Sequence, residues 1–282
     1  MTKPSWQDYG TYDESAHPDL WDGVVGYWAP CLGPTGTRLH DVSRYNNWGT
    51  LTNMDAATDW VIDGGQYALD FDGTNDYTTG TPMPIYGTMN FTLAAWVYIY
   101  STGQGGSDGL FPVMIQKAAP AAAAGCGMIY FYSGANAGKF MLSTGDGASF
   151  SEPLTSSAAS ITNSWAFVVL VRKTGTTNNG TCYVNGVEFP LASSLTVLNV
   201  TTTTSFRLAA DGSGPFRLGR IIVSDAIGWN RALSQNEVSR LYNLGRGGML
   251  QRRSRRRAYS QQAAFRPHYA QRNAQLIGGG LR

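Results

Sequence analysis

Thr181-Cys182-Tyr183-Val184-Asn185-Gly186-Val187-Glu188-Phe189 is the stretch on which the reading of this chain turns. Two runs of strand-forming residues flank an Asn-Gly pair. A type I′ turn needs positive φ at both central positions, and Asn followed by Gly reaches that conformation at least cost. The spacing therefore predicts a tight β-hairpin, and with it a chain that builds sheet by antiparallel pairing.

Working outward, short runs rich in β-branched and aromatic residues recur on both sides. They lie at 67–72, 91–100, 128–132, 139–143, 165–173, 205–209, 216–222 and 225–230, most of them bounded by Gly, Asn, Asp or Pro. Strands punctuated in this way are the pattern of a two-layer β fold. One helix signal interrupts it, in Leu233-Ser234-Gln235-Asn236-Glu237-Val238. Ser234 can cap the amide of Glu237 while Glu237 reaches back, and Leu233 can pack on Val238. Leu241 and Leu244 extend that apolar face until Gly245 stops it.

These pieces occur in an order that resembles the laminin G-like, concanavalin A-like lectin/glucanase superfamily over residues 23–245. The resemblance rests on Gly23-Val24-Val25-Gly26-Tyr27-Trp28, Asp41 to Leu51, Ala68 to Tyr77 and Phe91 to Val97. It continues through Trp165 to Val171, Tyr183 to Val187, Phe216 to Arg220 and Ile227 to Val238. It implies an all-β, two-sheet antiparallel jelly roll with one short C-terminal helix. Members commonly bind glycans or proteins, often with calcium, and a minority are glycosidases.

Composition bounds the rest. The 282 residues are 43% apolar and only 14% charged, enough apolar material for a sizeable core. The formal net charge of +2 hides a split: nine arginines and no acidic group lie from residue 246 to the end, leaving 12 basic and 19 acidic groups before it. An acidic body of about −7 with a basic tail of about +9 points to a folded part plus an interaction arm. The expected organisation is an N-terminal arm over 1–22, the sandwich over 23–245, and an Arg-rich tail over 246–282.

The tail concentrates Arg252, Arg253, Arg255, Arg256 and Arg257, with aromatics interleaved further on. Arginine without lysine suits bidentate contacts to carboxylate or phosphate. Docking on an acidic protein surface, a solvated end, and nucleic-acid contact are all open readings; the acidic body opposes the last. Cys31, Cys126 and Cys182 lack metal-ligand spacing, so buried small hydrophobes are expected, with one disulfide as the alternative. The N-terminus has no apolar leader and no run is long enough to span a membrane, so synthesis in a cytosol is expected.

Candidate site residues divide by chemistry. Glycoside hydrolysis needs a pair of carboxylates; the only glutamates are Glu14, Glu152, Glu188 and Glu237, none in a run of catalytic spacing, so no enzyme activity is expected. Asp72 and Asp76, with Asp225, are the candidates for calcium, although a simple polar turn explains the first two equally well. Trp28, Trp96, Trp165 and Trp229 fit apolar alternation and read as core. Trp48 and Trp60 sit in loop-like contexts and are the candidates for stacking on sugars. A displayed adhesion sandwich with no visible export signal suits a phage virion surface protein, made in the host cytoplasm, with other virion proteins and host glycans as partners. A bacterial extracellular glycan-binding module is the alternative.

Overall fold

A computed structural model of the chain describes residues 16–104, 109–117, 123–175, 179–201, 204–211 and 217–250. A four-residue helix, α1 (Pro18–Trp21), precedes β1 (Val24–Trp28). Then follow β2 (Arg38–Leu39), β3 (Gly49–Thr52), β4 (Trp60–Asp63), β5 (Gln66–Asp72), β6 (Tyr77–Gly80), β7 (Phe91–Ile99) and β8 (Leu110–Lys117). The middle strands are β9 (Gly125–Phe131), β10 (Phe140–Gly145), β11 (Phe150–Ser151) and β12 (Trp165–Arg172). The last are β13 (Gly180–Val184), β14 (Val187–Phe189), β15 (Phe206–Leu208) and β16 (Arg220–Trp229), before α2 (Gln235–Leu244).

The strands form two antiparallel sheets, as the sequence pattern implies. The first runs β11-β10-β9-β8-β15-β6-β3-β2, and the second β14-β13-β12-β7-β16-β5-β4, with β1 also on β16. Asn185 and Gly186 take φ of 52° and 78° and close the β13–β14 hairpin, with Val184 opposite Val187. Ser234 and Glu237 complete their reciprocal cap at the start of α2.

Alternation sorts the side chains into two cores. On β7, Phe91, Leu93, Ala95, Val97 and Ile99 point between the sheets, where they meet Phe71, Phe111, Phe140 and Leu170. There Trp28 stacks on Phe206, ring centroids 3.6 Å apart. The intervening residues face outward from the second sheet, and part of that face is covered. Phe167, Val169, Ile227 and Trp229 pack there against Leu20, Trp21, Leu233, Val238, Leu241 and Met249.

That second core draws in both expected arms. Leu20 and Trp21 are buried, and Trp229 Nε1 donates to the Leu20 carbonyl at 2.8 Å. Arg231 donates to the Asp19 and Asp22 carbonyls and pairs with Glu237 at 2.7 Å. Arg240 pairs with Asp19. At the other end Met249 is buried in a 3-10 turn at Gly248–Leu250. Apolar residues on both sides of the 23–245 stretch, Leu20 and Trp21 before it and Met249 after it, thus complete the cover of this face. The five arginines between 252 and 257 lie outside the described residues. Among the described residues, no helix is long and apolar enough to cross a membrane.

Candidate functional site

The two tryptophans expected to stack on sugars part company. Trp60 is a correction: it opens β4 opposite Leu69, points between the sheets and is buried in the main core. Its polar neighbours in sequence belong to the turn before the strand and not to the ring's surroundings. Trp48 stays half-buried at the edge of the first sheet. His40 lies against it at 3.9 Å, the Arg38 guanidinium over it at 5.5 Å, and its Nε1 donates to Asn46 Oδ1.

The three aspartates expected to share a cation do not meet. Asp72 Oδ1 accepts the amides of Thr74 and Asn75 at 2.6 and 3.2 Å, which makes it the cap of a polar turn. Asp76 is buried beside it and accepts the Asp72 amide. Burial first, then the charges of Asp72, Asp59 and Asp70, push its pKa up to about 6 against the amide bond that lowers it. Asp225 is elsewhere. Asp72 pairs with Arg220, and Asp225 lies five residues further along β16, about 16 Å away at strand rise. Among the described residues no three His, Cys, Asp or Glu side chains gather as a metal site.

Asp225 has a different job. The pairing of β16 with β7 slips between Val223 and Asp225, and this bulge turns Asp225 to the outer face out of strict alternation. There it is buried and accepts the Tyr27 hydroxyl at 2.8 Å, the Cys31 thiol at 3.4 Å and the Gly247 amide at 2.8 Å. Burial raises the pKa of the carboxyl above its ordinary value and raises those of Tyr27 and Cys31 as well. The site holds the segment after α2 onto the sheet. The three cysteines are all free thiols.

The remaining part of the second sheet's outer face carries chemistry that the tryptophan reading did not anticipate. Trp165, Tyr98, Ile222 and Asp70 are consecutive cross-strand neighbours on β12, β7, β16 and β5. Three strand intervals make a row about 14 Å long. Tyr98 meets Trp165 and Tyr100 edge-on, at 6.1 and 5.2 Å. An arginine lies over each flanking ring: Arg220 over Tyr100 at 4.6 Å and Arg246 over Trp165 at 4.1 Å. Each ring also reaches a carboxylate, the Tyr100 hydroxyl donating to Asp70 Oδ2 at 3.1 Å and Trp165 Nε1 to Asp63. Arg246 is further tied to Asp63, at 3.3 Å to its carboxylate. Gly103, at φ 78°, leaves room for Arg220 to lie flat; a Cβ there would meet Nη1 at 2.7 Å. All three rings are half-buried.

Of the four tryptophans read as core, Trp28 and Trp229 are fully buried, whereas Trp96 and Trp165 are half-buried on the outer face. The signal for the open row was present along β7 and the residue after it, where Trp96, Tyr98 and Tyr100 recur every second residue. Among the described glutamates, Glu152 is paired with Lys117 and accepts Ser143, Glu188 lies on β14, and Glu237 caps α2.

Comparison with known proteins agrees with this architecture. Residues 71–239 match the family model described as the concanavalin A-like lectin/glucanases superfamily. Among solved structures, a Trypanosoma rangeli sialidase in complex with the inhibitor DANA superposes with a TM-score of 0.51 and 20% identity, covering 78% of this chain and 32% of that one. The botulinum neurotoxin serotype D binding domain superposes at 0.57 with 12% identity, covering 80% and 52%. The same toxin domain is also similar in its complex with N-acetylneuraminic acid, at 0.57 and 12%. This chain thus spans a third to a half of those proteins' lengths, and at such identity the likeness is one of fold. A search of curated proteins finds no match.

Proposed function

The chain belongs to the concanavalin A-like lectin/glucanase superfamily, and on that footing we propose that it is a non-catalytic glycan-binding module displayed on a virion surface. The observation that carries the reading is the row of Trp165, Tyr98 and Tyr100 on the open part of the second sheet, backed by Asp70 and Arg220. Aromatic rings offer stacking surface for the apolar faces of sugars, and carboxylate and guanidinium groups fix hydroxyls. A similar fold, the serotype D toxin domain, is known in complex with a sugar.

Two further features support display without catalysis. Glu152 and Glu237 are committed to an ion pair and a helix cap. The acidic body and the tail with Arg252, Arg253, Arg255, Arg256 and Arg257 divide presentation from attachment, and a capsid or tail lattice of acidic surface would take the arginines bidentately.

An array of immobilised oligosaccharides tests the first half of the proposal. Binding to at least one class without release of reducing ends is expected, and silence on every oligosaccharide overturns it. Removing residues 251–282 is expected to leave glycan binding intact while abolishing incorporation into particles. Unchanged incorporation removes the anchoring role.

A further inference from the structure

Resting on that glycan-binding reading, we infer that the open row on the second sheet is a subsite for neutral, hydroxyl-rich oligosaccharides and that its charge excludes acidic sugars. The rings supply the platform: Tyr98 stands between Trp165 and Tyr100, and each flanking ring already carries an arginine, which leaves Tyr98 as the central stacking surface. Two polar groups beside it have capacity to spare. Asp70 Oδ2 takes the Tyr100 hydroxyl, while its Oδ1 accepts no hydrogen bond among the described residues. The Arg220 guanidinium lies over Tyr100 and makes no hydrogen bond or ion pair among the described residues. A carboxylate oxygen and a guanidinium flanking an aromatic floor are complementary to the hydroxyls and apolar face of a pyranose.

Charge selects the sugar class. Asp59, Asp70, Asp72 and Asp76 act on one another electrostatically along this side of β5. Arg220 is the cation coupled to Asp70, whereas Arg246 is spent on Asp63. A sialic or uronic acid carboxylate placed on the row would therefore meet Asp70, its cross-strand neighbour Asp59 and Asp72 two residues along β5, three carboxylates against the one guanidinium of Arg220. Like-charge juxtaposition of this kind works as exclusion. This separates the chain from the toxin domain of similar fold that is known with N-acetylneuraminic acid.

The test is a direct titration of the full chain with one neutral oligosaccharide from the array and with its sialylated counterpart. The neutral probe is expected to bind and the sialylated one to bind at least about tenfold more weakly. Tyr98→Ala is expected to weaken the neutral probe by about tenfold, with Tyr98→Phe, which keeps the ring, close to the unaltered protein. The double change Asp59→Asn with Asp72→Asn is expected to narrow the gap between the two probes severalfold, and more at low salt than at high. Equal or tighter binding of the sialylated probe overturns the inference. So does neutral binding that survives Tyr98→Ala and vanishes in Trp48→Ala, an outcome that leaves glycan binding itself standing. Circular dichroism of each variant separates loss of the site from loss of the fold.

Discussion

The outer face of the second sheet has two halves built from the same strands. In the covered half β7 contributes Ala94, β12 Phe167 and Val169, and β16 Ile227 and Trp229, all buried beneath α1, α2 and the turn after it. In the open half the same strands contribute Tyr98, Trp165, Ile222 and Arg220, with rings half-buried. β7 keeps one alternation through both halves while β16 changes phase at its bulge, and both halves carry large aromatic residues. The cover makes one a core and leaves the other a surface. Arg246 and the bulge at Asp225 mark the border, the first bridging Trp165 to Asp63 and the second holding Gly247.

The largest expected contrast comes from removing one ring in each half. Trp229→Ala takes away a fully buried indole and its bond to Leu20, and should cost about 3–5 kcal/mol in urea unfolding. Tyr98→Ala in the open half should cost less than about 1.5 kcal/mol. Equal losses would mean that the open half is packed as well as the covered one.

At the border, Asp225→Ala leaves the Tyr27 hydroxyl and the Gly247 amide without their acceptor in a buried site. A loss of about 2–3 kcal/mol is expected by the same measurement. Asp225→Asn, which still offers an acceptor oxygen, should lose less; an Asn variant as damaged as the Ala variant would show that charge and not acceptance holds the segment.

The smallest effect is one of pH. Asp76 has a pKa of about 6 in the fold against an ordinary 3.8, so its protonated form is the one the fold prefers. The stability it contributes is fully present below pH 3.8 and is lost as pH rises through about 6. Asp76→Asn should flatten that window, a difference of about 1–2 kcal/mol between the two profiles once solvent screening is allowed for. Parallel profiles from pH 4 to 7 would refute the assignment.

Much of the fold was legible because its signals are local. The Asn185-Gly186 turn and the Ser234–Glu237 cap depend on backbone geometry within four residues, and both are where spacing puts them. The site was less legible. Trp60 read as loop because polar residues precede it, yet one strand pairing turns it inward. Asp72, Asp76 and Asp225 read as candidates for one cation, yet a bulge and five residues of strand separate Asp225 from the Arg220 that pairs with Asp72. Tyr98 and Tyr100 passed as strand residues, since alternation tells which face a side chain takes but not whether anything lies over that face.

Sequence alone therefore determined the antiparallel two-sheet body, its hairpin, its capped helix and the split between an acidic body and a basic tail. These follow from turn geometry, period-two patterning and the count of charges. Tertiary structure decided which half of the outer face became core, where Asp225 points and which tryptophans meet solvent. Those outcomes depend on long-range packing of α1 and α2 over the sheet and on one slipped register, and no local run of residues encodes either.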